Sequence, residues 1–146
     1  MVSARDGLPG STGDGDRFGV TVRPGPEPGI VVVAVAGELD HDTAEPLHAA
    51  LEEGIAAGAR RILVDCSVLL FCDSTGLNVL LRARLAAKET GARIELAGLR
   101  PQVARMLAIT GAGAVFPRYA SIGEALAVPA ADPDSGPAPE PETGRE

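Results

Sequence analysis

Two cysteines and two histidines are all the thiol and imidazole in this chain of 146 residues. Cys66 and Cys72 flank the end of a predicted strand, an arrangement read as free thiols in a reduced compartment rather than as a disulfide. His41 and His48 make no compact ligand pattern with either cysteine, so no metal is expected. No apolar stretch reaches the roughly 18 residues of a membrane-spanning helix. Met1 to Gly19 lacks the hydrophobic core of a secretory signal. The expectation is a cytoplasmic protein with no membrane partner. Basic clusters are missing too: Lys and Arg number 13 against 20 Asp and Glu, a net charge of -7. An acidic chain without a basic patch suits phosphate backbones poorly, so nucleic acid is not an expected partner.

Two enzyme signatures are also absent. Asp73-Ser74-Thr75-Gly76 has no Gly-x-Ser-x-Gly frame, and both histidines precede Ser74, opposite to the hydrolase order. Gly111-Ala112-Gly113-Ala114 is too short for a phosphate loop and no Lys-Ser/Thr follows it; it reads as a tight connection. No catalytic residue and no cofactor is expected.

What is present divides simply. Residues 1–17 are rich in Gly, Ser and Asp and predict a mobile arm. Residues 128–146, rich in Pro, Ala, Asp and Glu, predict a disordered acidic tail. Residues 18–127 remain as one domain, long enough to bury a core. Phe18 to Val22 alternates like an edge strand, and Arg23 to Gly29 reads as a loop. Ile30 to Ala36 is a continuous β-branched run suited to a strand buried on both faces. Thr43 to Ala57 carries Leu47, Leu51 and Ile55 at helical spacing, with Asp42 or Thr43 available as cap and Pro46 in the first turn. Ile62 to Cys66 predicts a second buried strand and Ile94 to Ala97 a third. Ser74 to Glu89 predicts a helix whose Leu77, Leu80, Leu81 and Leu85 face inward. Pro101 to Ile109 predicts a short helix, Val115-Phe116 a last strand, and Ser121 the cap of a closing helix over 122–127. Strands alternating with helices imply an α/β class with a largely parallel sheet.

The stretch from Leu69 to Leu81 organises this pattern. An apolar run stops at Asp73, Ser74, Thr75 and Gly76, and a helical pattern starts at once. Asp, Ser and Thr at a first helical turn accept from unpaired backbone N–H groups, and negative charge is welcome there. An ordinary N-cap explains these residues by themselves. Asp40 and Asp73, however, follow different strands of one sheet, and strand ends in α/β folds open on a common edge where sites form.

Three pieces in order give a specific match: Gly37-Glu38-Leu39-Asp40, Phe71-Cys72-Asp73-Ser74-Thr75-Gly76-Leu77 and Leu107-Ala108-Ile109-Thr110-Gly111. The chain from about 18 to 127 resembles the STAS-domain family of bacterial anti-sigma factor antagonists. The resemblance implies a small mixed, largely parallel β-sheet with helices packed mainly on one face. It implies a non-enzymatic protein that binds an anti-sigma factor serine kinase, frees a sigma factor, and is switched off by phosphorylation of Ser74. A serine phosphatase would reverse the mark. Glu38, Asp40, Asp73, Ser74, Thr75 and Asn78 are the expected partner-binding residues, with Leu77 and Leu81 as buried support. Cys72 and Asn78 depart from the family pattern, where a larger aliphatic residue and glycine are usual. A STAS-type scaffold or ligand-sensing module, with Ser74 merely a cap, is the alternative.

Overall fold

The computed structural model describes residues 17–128. Strands β1 (Phe18–Pro24), β2 (Ile30–Leu39), β3 (Arg61–Cys72), β4 (Arg93–Ala97) and β5 (Arg118–Tyr119) form one sheet in that order. Helices α1 (Ala44–Ala56), α2 (Ser74–Glu89), α3 (Pro101–Thr110) and α4 (Ile122–Ala127) connect or follow them. β1 is antiparallel to β2, and every other pair is parallel. Parallel neighbours need a crossover connection, and the intervening helices supply it. The predicted arm and tail, 1–17 and 128–146, fall outside the described residues except for Arg17 and Val128.

The main core lies on one face. Val33, Val35 and Leu39 of β2 and Ile62, Val64, Cys66, Leu69 and Cys72 of β3 meet Leu47 and Leu51 of α1 and Leu77 and Leu80 of α2. Val103 and Leu107 of α3 complete it. On the other face Ile30, Val32, Leu63 and Ala97 pack against Ala125 of α4. Both faces of β2 are thus covered along its first half, which is why Ile30 to Val35 reads as a continuous apolar run.

β1 runs on to Pro24 and β2 to Leu39, past their expected ends at Val22 and Ala36, because the two strands stay paired there or, for β2, pair with β3. The structure differs from the sequence reading at four further places. β3 does not stop at Cys66 but runs to Cys72, because beyond Asp65 it continues pairing with β2 after β4 has ended. Both cysteines therefore lie within one strand, free and buried. Leu85 is 58% exposed, and the inward stripe of α2 passes through Ala83 and Ala87 instead. Small residues at those positions let the helix lie close to its neighbours. Ala112–Val115 forms a 3-10 turn after Gly111, whose φ of 78° ends α3, and the last strand is Arg118–Tyr119 rather than Val115-Phe116. Finally, neither Asp42 nor Thr43 caps α1 with its side chain; the Thr43 hydroxyl donates to Glu38 O at 2.8 Å.

One polar pair sits beneath α4. Arg61 donates to Glu95 Oε1 through Nε at 3.1 Å and Nη2 at 2.8 Å, and Nη2 also donates to Ala125 O at 3.1 Å. Both residues are buried, and Arg93 Nε lies 3.2 Å from Glu95 Oε2. Such a pair is costly to break from one side, because removing Arg61 strips two hydrogen bonds from a fully buried carboxylate and leaves it Arg93 alone in a poorly solvating interior. Arg61→Met is expected to cost about 3 kcal/mol in urea unfolding, and Arg61→Met combined with Glu95→Leu to recover most of that loss.

Burial, with the Asp65 and Asp73 carboxylates as lesser causes, pushes the Cys66 and Cys72 thiols up to about 12. An unfolded cysteine ionises near 8.5. Above that pH the unfolded chain releases protons that the folded chain keeps, so stability falls as pH rises through about 9 toward 12. Iodoacetamide at pH 8 is expected to spare both thiols in the folded protein and to alkylate both in urea.

Candidate functional site

The end of β3 turns directly into α2. Asp73 sits at the junction with φ -100° and ψ -172°, and its Oδ1 accepts from Thr75 N at 2.9 Å and Gly76 N at 3.1 Å. Two otherwise unpaired amides of the first turn are satisfied by this single carboxylate. Capping therefore belongs to Asp73. Ser74 is the first helical residue and exposed, and among the described residues no group hydrogen-bonds its hydroxyl. The reading of Ser74 as a cap is corrected by this geometry. Asn78 lies one turn further on and is exposed, while Thr75 is half-buried. Leu77 is buried and Leu81 partly buried against the core, as expected for support.

Gly76 fixes how close the helix start comes to the sheet. A Cβ there would lie 2.5 Å from Leu39 Cγ, 2.7 Å from Leu39 Cδ2 and 3.1 Å from Cys72 Sγ. The small Cys72 side chain lies directly under this contact. Its Sγ donates to Asp73 O at 3.5 Å.

The neighbouring β2–α1 loop arrives at the same level. Leu39 pairs with Cys72, and Asp73 N donates to Leu39 O at 3.0 Å. Asp40 and Asp73 thus leave adjacent strands side by side. Asp40 accepts from Asp42 N at 2.9 Å and from Arg17 Nη2 at 3.1 and 3.2 Å. Desolvation pulls its carboxyl upward, but the Asp42 amide, Arg17, the Thr43 hydroxyl and His41 together outweigh that and hold it below its ordinary value. Asp40 is accordingly an organiser of its own loop, whereas the Glu38 carboxylate, 3.8 Å from Arg17, is half exposed. Arg17, assigned to the arm by composition, is in fact seated against Gly37, where φ is 96° and a Cβ would collide with Arg17 O. No motif marks Arg17 in the sequence, whose role arises from strand pairing; Thr43, a cap candidate in the sequence, instead ties its own loop together.

All six expected residues occur at this edge or in its two loops. Asp40, His41 and Asp42 bring donor atoms within 4.8 Å of one another. Arg17 on Asp40 opposes a cation there, since its charge already satisfies the carboxylate. What the edge offers is an accessible hydroxyl at a helix N-terminus, framed by carboxylates.

With that geometry in hand, the comparisons with known proteins are specific. The family model described as Mlab, STAS domain, matches residues 26–117, and the chain belongs to the STAS domain family. The anti-sigma F factor antagonist of Paenibacillus polymyxa is 29% identical over 92 residues, 62% of this chain and 79% of that protein. An anti-sigma factor antagonist from Mycobacterium paratuberculosis has a crystal structure with a TM-score of 0.64 and 28% identity, covering 77% of this chain and 93% of that one. The anti-sigma factor antagonist SpoIIAA in its unphosphorylated form gives 0.60 at 25% identity, covering 68% and 87%.

Substitutions separate the roles within the junction. Asp73→Ala is expected to cost about 1 kcal/mol of stability, the usual loss of a cap. Ser74→Ala should stay within about 0.5 kcal/mol of wild type, as for an exposed side chain without partners. Gly76→Ala should cost about 1–3 kcal/mol by overpacking against Leu39. Thermal and urea unfolding measured in parallel check all three.

Proposed function

We propose that the protein is an anti-sigma factor antagonist: it binds an anti-sigma factor serine kinase through the Ser74 edge and thereby releases a sigma factor. Phosphorylation of Ser74 ends the binding, and a serine phosphatase restores it. The observation that carries this reading is the exposed, unengaged Ser74 hydroxyl at the start of α2, beside a cap that does not need it. A helix can lose a capping hydroxyl only at a cost, so a serine that caps is a poor choice for a reversible mark. Ser74 is free of that constraint. The names of the similar proteins support the same reading, and SpoIIAA is described in a form defined by its lack of phosphate.

The physical effect of the mark follows from charge. A phosphate adds about -1.5 to -2 charges and three strong acceptor oxygens. At the N-terminus of α2 the helix dipole and amides tolerate that charge, so the fold survives. At an interface the result is opposite. A kinase holding ATP presents phosphates toward the acceptor hydroxyl, and a phosphoserine facing them is repelled and must also be desolvated. In this scheme Ser74 supplies the acceptor oxygen while Asp73 holds it at the helix start. Glu38, Asp40, Thr75 and Asn78 complete the docking face. The kinase supplies ATP, Mg²⁺ and the base, and this chain performs no catalysis in a cytoplasmic exchange of partners.

Isothermal titration of wild-type, Ser74→Ala and Ser74→Asp proteins against the purified anti-sigma factor kinases of the same organism tests the reading. Wild type and Ser74→Ala are expected to bind one kinase alike, and Ser74→Asp at least tenfold more weakly. Equal binding by all three variants overturns the switch.

A further inference from the structure

Between Asp65 and Cys72, β3 advances out of step with β2. Ala34 pairs with Asp65 but Ala36 with Val68, and Gly37 pairs with Leu69 but Glu38 with Phe71. Each shift marks a bulge, a feature that re-aims side chains and is frequent beside functional sites. Cys66, Leu69 and Cys72 stay in the core, whereas Val68, Leu70 and Phe71 are 53%, 49% and 45% exposed. Val68 is level with exposed Ala36, and Ala36 with exposed Gly19 of β1. α4 covers this face of the sheet only at its other end, over Ile30, Val32, Leu63 and Ala97. Small residues at Gly19 and Ala36 thus lie beside the larger exposed Val68 and Phe71 on one sheet face, a strip, here termed the trough, at the strand end that leads to Asp73 and Ser74.

We propose that this trough is the second half of the docking surface and receives an apolar side chain of the same anti-sigma partner that meets Ser74. The inference rests on the Ser74 reading. Continuity is the first argument: Phe71 is two residues from Asp73 and is the cross-strand neighbour of Glu38. The second is what an interface needs. Binding energy concentrates in a desolvated apolar centre with a polar rim around it. The Ser74 edge supplies polar and acidic groups, and the trough supplies the adjoining apolar ones. Charge gives the third argument. The half-exposed Glu38 carboxylate beside the trough shares Arg17, 3.8 Å away, with Asp40, two carboxylates to one guanidinium, so the complementary partner face carries a lysine or arginine next to its apolar side chain.

The test uses the full chain and the purified anti-sigma factor kinases. Affinities are measured for Val68→Asp, Phe71→Ser, Ser74→Asp and Val22→Asp, the last an exposed apolar position on β1 outside the trough. Val68→Asp and Phe71→Ser are expected to weaken binding at least tenfold, and Val22→Asp less than twofold, with melting curves confirming that each is folded. If Ser74→Asp weakens binding and both trough variants bind like wild type, the trough proposal falls and the Ser74 reading stands. If the trough variants weaken binding and Ser74→Asp does not, the phosphorylation switch falls and the trough remains a docking surface. Sedimentation of the same proteins covers the other occupants. A dimer dissolved by Val68→Asp with unchanged kinase affinity assigns the trough to a second copy. Deletion of residues 1–16 that raises kinase affinity tenfold, without an effect of Val68→Asp, assigns it to the chain's own arm. Either result, or no binding by wild type to any kinase, overturns the proposal.

Discussion

The Asp73 carboxylate, bonded to the amides of Thr75 and Gly76, is the contact on which the rest of the site depends. It converts the end of a buried strand into the start of a helix within one residue. Because that carboxylate satisfies the first turn, the next side chain has no structural duty and points to solvent. Gly76 completes the arrangement by allowing Leu39 and Cys72 to close beneath the turn. An accessible hydroxyl on a rigid support is the consequence, and rigid support is what a site of modification or recognition requires.

The two faces of the sheet contribute differently. Three helices cover one face and build the main core, while among the described residues the other carries α4 and the Arg61–Glu95 pair beneath it. Such a pair adds little net stability compared with apolar packing, yet leaves a large penalty if halved. It ties α4 to the sheet through the Ala125 carbonyl. Among the described residues nothing packs over the far end of the same face, and there the bulged part of β3 displays Val68 and Phe71. The packed end of this face and the proposed docking end thus lie apart.

Much of this was legible in the sequence. The Ile30 run, the periodicity of α1 and the Asp-Ser-Thr-Gly junction specified the α/β class, the limits of α2 and the STAS family. Periodicity failed where tertiary pairing decides. β3 outruns its expected end because β2 still pairs with it past Asp65, and two bulges scramble the alternation that would have revealed this. Leu85 looked internal because leucine is apolar, but the buried stripe follows Ala83 and Ala87. The division of labour between Asp73 and Ser74 is also invisible in sequence, since either side chain can cap. Arg17 carries no local signal at all; only the pairing of Phe18 with Gly37 brings it to Asp40.

The central claim is that Ser74 is the acceptor of a phosphate. Intact-mass spectrometry of the wild-type and Ser74→Ala proteins, each incubated with ATP, Mg²⁺ and the anti-sigma factor kinases of the same organism, tests it directly. The account predicts one added phosphate on wild type, located at Ser74 by fragmentation, and none on Ser74→Ala. A phosphate that persists on Ser74→Ala, or wild type left unmodified by every kinase, would contradict it.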